Sequence, residues 1–205
     1  MYRLYEKEPV LFVSPRRSMT RASIQHLGMT LPACESLPDG SAFIIDVMTG
    51  TQLTRIYHMI REASRNGNGF SVDEFESEAD FRSEVKDGHP FAIMRKDGGE
   101  MVAGVVIIHS KYFRGRHVAD PYIIVEKSNR NKGIGCLCFS LCIRYAKQLG
   151  FMGMYIDTFS TNTAMIKIIE RFSGFERVGV LPMGGQISDG TIVSSYIYYK
   201  DLRTA

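Results

Sequence analysis

The chain has 205 residues, enough to bury a sizeable core without disulfide or metal staples. Its composition, 44% hydrophobic and 23% charged, is that of a folded domain and excludes wholesale disorder. The 25 basic and 22 acidic residues leave a net charge of +3, too small to argue for a nucleic-acid partner by itself.

Charges interrupt the N-terminal residues every few positions, unlike a secretory signal. No run approaches 18 apolar residues, so no membrane span is expected. Cys34, Cys136, Cys138 and Cys142 form no CxxC or CxxH pair, which argues against zinc. Clustered as they are, they read as reduced core residues of an intracellular protein. The expected compartment is therefore the cytoplasm, with the nucleus left open.

In chain order, residues 1–40 read as an N-terminal extension. It contains a short apolar run at Val10–Val13 and is broken by Pro15, Pro32 and the Pro38-Asp39-Gly40 turn. Residues 41–205 read as the domain proper. A strand is predicted at 42–47, followed by a helix over 51–65 with Leu53, Ile56, Tyr57, Ile60 and Ala63 at helical spacing. Asn66–Gly69 ends that helix. Ser71 to Glu74 reads as a capping box opening a second helix to about Lys86. Strands follow at 91–95, 101–110 and 117–125, the last two joined by a basic, aromatic turn at 111–116. A long helix is predicted from Gly133 to Leu149, closed by Gly150. A strand at 154–158, a helix at 162–172 and strands at 176–181 and 192–199 around a Gly-rich 182–190 loop complete the order. The pattern is β-α-α-β-β-β-α-β-α-β-β, a mixed α/β domain.

The most informative segment runs from Val125 to Gly135, VEKSNRNKGIG. It follows an apolar strand and opens a helix. A helix start leaves backbone N–H groups unpaired and partly positive, so it suits phosphate. Gly133 and Gly135 keep side chains out of the way, and Arg130 and Lys132 add charge. A Walker A loop does not fit, because Lys132 precedes its glycine. A dinucleotide fingerprint does not fit either, because Cys138 stands where its third glycine is needed.

Arg130-x-x-Gly133-x-Gly135 resembles the [RQ]xxGx[GA] signature of the GNAT acetyltransferases. A second segment, from Asn162 to Gly174-Phe175, resembles the asparagine-led helix of that family and the strand after it. The resemblance covers residues 42–200, and the phrase Thr161-Asn162-Thr163-Ala164 is similar to fungal members acting on small amino-acid analogues. It implies a GNAT fold: a mixed central sheet with a splayed pair of strands and flanking helices. It implies acetyl-CoA as co-substrate, and no metal. The pantetheine arm would pair with Ile123, Ile124 and Val125. The pyrophosphate would sit on the amides of Arg130, Asn131, Lys132, Gly133, Ile134 and Gly135. Asn162 would reach the cofactor, a role it can combine with capping its helix.

The implied activity is transfer of acetyl to a primary or secondary amine, a small molecule, by direct attack in a ternary complex. Such an amine is charged at pH 7 and must lose a proton. Base candidates are Asp120, Glu126 and His117, with Asn162 a further candidate for the catalytic set. Pro121 is expected to disturb pairing beside Asp120. The family's tyrosine acid is replaced here by Ile169, so the thiolate would leave unaided or be protonated by another group. The acceptor side would be built from Asn66–Phe70, Tyr112–Arg116 and Met183–Gly190, with Tyr196 and Tyr198 beside them and with Asp157 and Asp189 available to an ammonium group. Peptide acetylation, and cofactor binding without turnover, are the alternatives. Neither nucleic acid nor membrane is expected as a partner; a homodimer is compatible with the sequence.

Overall fold

The computed structural model describes residues 29–66, 69–110 and 115–203. The run at Val10–Val13, Gly67 and Asn68, and Lys111–Arg114 of the basic turn lie outside them. The strands are β1 (Ala33–Ser36), β2 (Ala42–Val47), β3 (His89–Arg95), β4 (Met101–His109), β5 (Val118–Val125), β6 (Gly153–Phe159), β7 (Glu176–Gln186) and β8 (Ile192–Asp201). The helices are α1 (Gly50–Arg65), α2 (Glu78–Val85), α3 (Ile134–Gln148) and α4 (Thr163–Arg171). A 3-10 turn at Lys127–Asn129 leads into α3. All eight strands form one sheet in the order β1-β2-β3-β4-β5-β6-β8-β7, antiparallel except where β5 meets β6.

Helices cover both faces. Ile134, Cys138, Phe139, Leu141 and Cys142 of α3, with Ile169 of α4, build a core on one side. Ile56, Met59, Ile60 and Ala63 of α1, with Phe81 and Val85 of α2, build the core on the other. Continuous apolar β4, buried along nearly all its length, runs through the middle. Burial pushes the Cys138 thiol up to about 12 and that of Cys142 well above its ordinary value, so both stay protonated core groups.

Three local expectations are corrected. The 38–40 turn is a hairpin joining β1 to β2, so the sheet begins at Ala33, and Met29 and Leu31 enter the core. β1 is too short and too half-buried to carry a sequence signal. α2 does not open at Ser71: Ser77 caps it, its Oγ accepting from Asp80 N at 3.2 Å. Ser71 Oγ instead has two acceptors for its one hydrogen, the nearby Asp73 carboxylate and the Gln186 carbonyl at 3.2 Å. β7 continues through the Gly-rich segment to Gln186, its register with β8 shifting twice.

Candidate active site

β5 and β6 run parallel but pair only through Val118 with Gly153 and Ala119 with Met154, and then part. The hydrogen-bond register supplies a cause. On the β4 side, Ser110 N donates to Val118 O and Glu126 N to Val102 O, with unbroken register between them. Such pairs recur at every second residue, so Val118, Asp120, Tyr122 and Ile124 turn their backbone groups to β4. Ala119, Pro121, Ile123 and Val125 turn theirs toward β6. The first position beyond the last β6 pair is thus Pro121, which has no N–H to give. Pro121 leaves the β4 ladder intact and interrupts the one with β6, so the disturbance expected beside Asp120 falls on the β6 side alone.

Ile123 and Val125 therefore present backbone groups to the gap. Ile124, grouped with them in the sequence, does not: its main chain faces Gly104 of β4 and its side chain lies in the α1/α2 core, 5% exposed.

Val125 leads into the phosphate-type loop. Asn131 (φ 61°) and Gly133 (φ 81°) both adopt the left-handed conformation, which glycine takes freely and asparagine tolerates. Gly133 is the N-cap of α3 and offers no side chain to its first turn. Of the expected amides, that of Arg130 is taken by Lys127 O (3.4 Å) and leaves the set, whereas the amides from Asn131 to Cys136 meet no acceptor among the described residues. Asn131, Lys132 and Gly133 are exposed, so the mouth is open. Ile134 contributes its amide while its side chain is buried. A Cβ on Gly135 would meet only Ile168 Cδ1, at 3.0 Å, so this glycine also lets α4 approach α3. Arg130 Nε donates to Val125 O (3.1 Å) and Lys132 Nζ to Ser128 O (2.8 Å), so both cations brace the loop as well as charge it.

Sequence reasoning missed how this loop is anchored. Asn129 is 4% exposed; its Oδ1 accepts from Arg95 Nη2 (2.8 Å) and its Nδ2 donates to Glu126 Oε2 (3.2 Å). Glu126 Oε1 accepts from Arg55 Nη2 of α1 at 2.8 Å. Glu126 is thus tied to the scaffold between Arg55 and Asn129. Arg171 of α4 adds a third cation near the start of α3, its Nη1 3.8 Å from Cys136 Sγ. An asparagine and arginines scattered over three elements leave no spacing to read.

Asn162 caps α4, its Oδ1 accepting from Met165 N (3.3 Å), and its amide lies against Gly69. Asp120 shares the α1/α2 face of β5 with Tyr122 by strand alternation. Burial, and then the charges of Glu74, Glu84, Asp120 and Asp157, push the Tyr122 phenol far above its ordinary value, so it stays neutral. Those carboxylates therefore converge on the same side of the gap. His117 is an exposed turn residue whose carbonyl takes Met152 N (2.8 Å). Asp189 belongs to a turn, accepting from Thr191 N at 2.9 Å, which holds its carboxyl below the usual range. Tyr198 is buried and donates to Glu170 Oε1 (3.3 Å), while Tyr196 lies under Arg177. Ile169, at the family's tyrosine position, is fully buried in the α3/α4 core.

The segment just beyond one expected acceptor loop, Asn66–Phe70, meets another, Met183–Gly190. Val72 N donates to Gln186 O (3.1 Å), fastening the segment after α1 to the end of β7. Of the third, 112–114 lies outside the described residues. Among the described residues no group of three or more His, Cys, Asp or Glu side chains is arranged for a metal. No helix among them is long and apolar enough to cross a membrane.

Comparison with solved structures finds this architecture repeatedly. A GCN5-related N-acetyltransferase from Kribbella flavida superposes with TM-score 0.67 at 18% identity, covering 78% of this chain and 97% of its own. A ribosomal-protein-alanine N-acetyltransferase from Brucella melitensis gives 0.66 at 19%, covering 77% and 98%. A phosphinothricin acetyltransferase from Sinorhizobium meliloti, solved in complex with acetyl-CoA, gives 0.65 at 20%, covering 77% and 86%. These likenesses show the fold. No curated protein gives a significant sequence match. The profile of the Acetyltransferase (GNAT) family matches residues 53–175, from α1 through α3 and α4 to the start of β7. That span contains the parted strands and the open loop between them and α3, and covers more than half of the chain: this protein belongs to the GNAT acetyltransferase family.

Proposed function

We propose that this chain is an acetyl-CoA-dependent N-acetyltransferase acting on a small primary or secondary amine. One observation carries the reading: amides from Asn131 to Cys136, unpaired among the described residues, adjoin a strand edge at Ile123 and Val125 that β6 leaves open, with the Val125 carbonyl held by Arg130 Nε. A diphosphate fits the first and an extended amide-bearing arm fits the second, as an added strand would. Acetyl-CoA carries both groups and supplies an acyl thioester.

The gap passes through the sheet. An acyl donor anchored at α3 would lie on one face, and an amine would approach from the α1/α2 face. The amine must be neutral to attack, and Asp120, on that face, is the carboxylate on β5 able to take its proton, directly or through water. Backbone N–H groups on the β5 edge are suited to the developing oxyanion; Pro121 cannot serve, which leaves Ile123 and Val125. Buried Ile169 donates nothing. A thiolate with an ordinary pKa near 8.5 is a tolerable leaving group at neutral pH.

The test is free-thiol release from acetyl-CoA over a panel of amines. Amine-dependent release with a matching acetylated product supports the reading. Ile169 favours a second one, in which the cofactor binds without turnover; tight acetyl-CoA binding with no product across the panel would establish it.

A further inference from the structure

Resting on the transferase reading, we infer that the acceptor is a small di- or polyamine, one nitrogen reacting at the gap while the remaining ammonium groups sit in an acidic cavity beside it. The cavity has a volume of about 420 Å³. It lies between the segment preceding α2, α2 itself and the parted length of β5. Its rim carries Asp73, Glu76, Asp80 and Glu84, and its floor is Phe75 and Tyr122.

Its position is set by the sheet and not by its charge. Tyr122 stands between Pro121 and Ile123, where β5 has left β6, on the face opposite the open loop of α3. An acceptor reaching a thioester held from the α3 side must enter from here. A few hundred cubic ångströms is the volume of a small-molecule site.

The lining then selects the ligand. No lysine, arginine or histidine occurs among its described residues, although the chain as a whole is net positive. Asp73, Glu76 and Asp80 pair with no cation among the described residues; Asp73 and Asp80 take serine hydroxyls instead. The floor is of a different kind. The Phe75 and Tyr122 rings, 5.7 Å apart at 59°, put aromatic carbon beneath the carboxylates, where methylenes and an ammonium group can pack. An acidic rim over an aromatic floor matches ammonium groups separated by methylenes. It repels a free carboxylate, so ordinary amino acids are poor acceptors.

The experiment compares spermidine and putrescine with butylamine, phenethylamine, glycine and a lysine-containing peptide, using the full chain and acetyl-CoA. The expected result is a kcat/KM at least tenfold higher for putrescine and spermidine than for butylamine, an advantage that shrinks as salt rises. Glu76→Gln combined with Asp80→Asn should raise KM for spermidine about tenfold, leaving KM for acetyl-CoA unchanged. Equal or better turnover of butylamine, glycine or the peptide overturns the inference. If nothing is acetylated, the transferase reading has failed, and calorimetric titration of spermidine decides the cavity separately. Binding weakened tenfold by the double variant supports it; no binding to the native chain overturns it.

Discussion

The anchoring of the open loop can be tested at Asn129. Replacing it by alanine removes the acceptor for Arg95 Nη2 and the donor to Glu126 Oε2, both in a nearly closed setting. Hydrogen bonds to charged groups contribute roughly 1.5–3 kcal/mol when buried. Arg95 and Glu126 are only half-buried and recover some hydration, so the lower end applies, and the two together come to about 2–3 kcal/mol. For a chain of this size that lowers Tm by roughly 5–10 °C. A freed 127–130 turn also misplaces the amides that follow, so acetyl-CoA affinity should fall about tenfold, near 1.4 kcal/mol. Asn129→Asp should lie between native and alanine, keeping the acceptor for Arg95 while setting a second carboxylate against Glu126. Differential scanning fluorimetry and calorimetric titration of acetyl-CoA read the two effects. A Tm within 1 °C of native (roughly 0.3–0.5 kcal/mol) would refute the stability argument. Unchanged affinity in a destabilised variant would refute the link from anchor to amides.

Gly135→Val should weaken acetyl-CoA binding at least tenfold while the chain stays folded, because its side chain must displace Ile168 or enter the loop mouth; native affinity in a folded variant contradicts this. Ile169→Tyr restores the family's residue type but forces a phenol into a closed core, so a loss of about 1–3 kcal/mol is expected by chemical denaturation, with no gain in kcat. His89 is 3% exposed, neither ring nitrogen has a partner among the described residues, and burial lowers its pKa to about 4. The unfolded chain takes up that proton near pH 6.5 and the folded one only near 4. Stability is therefore intact above 6.5 and lost as pH falls toward 4, by up to about 3 kcal/mol. His89→Phe should remove that slope in urea melts across pH 4 to 7, and an unchanged slope would assign it elsewhere.

Most of the element order was legible because each long element carries a periodic signal. α1 repeats Ile56, Ile60 and Ala63 on one side, and β4 is an unbroken apolar run. The open loop was legible for a chemical reason: glycines at a helix start serve phosphate better than they serve a core. What failed depended on distant partners. Ser71 and Ser77 offer similar capping chemistry, and only the Gln186 carbonyl draws Ser71 away. Nothing near Glu126 in sequence shows that Arg55, 71 residues earlier, is brought against it. Ile124 sits between two gap-facing neighbours in sequence, and only the phase of the β4 ladder shows that it turns the other way.

That same phase explains how an ordinary sheet becomes a passage. Had the proline fallen at 120 or 122, it would have broken the ladder with β4 and damaged the centre of the fold. At 121 it removes a donor that only β6 could have used, so the opening costs little stability while leaving Ile123 and the Val125 N–H unclaimed by β6 just beyond, the Val125 carbonyl being taken by Arg130 Nε. The two faces of the opening then differ in charge. Arg130, Lys132 and Arg171 gather on the α3 side, and the carboxylates from Asp73 to Glu84 on the α2 side. On the proposed function, an anionic donor and a cationic acceptor would be drawn to opposite faces of one gap and meet at its neck without competing for the same surface. On this argument Pro121→Val, which restores an N–H to the β6-facing edge, should narrow the gap and slow acetyl transfer without lowering Tm. A variant that transferred acetyl at the native rate would show that something other than the missing donor holds the strands apart.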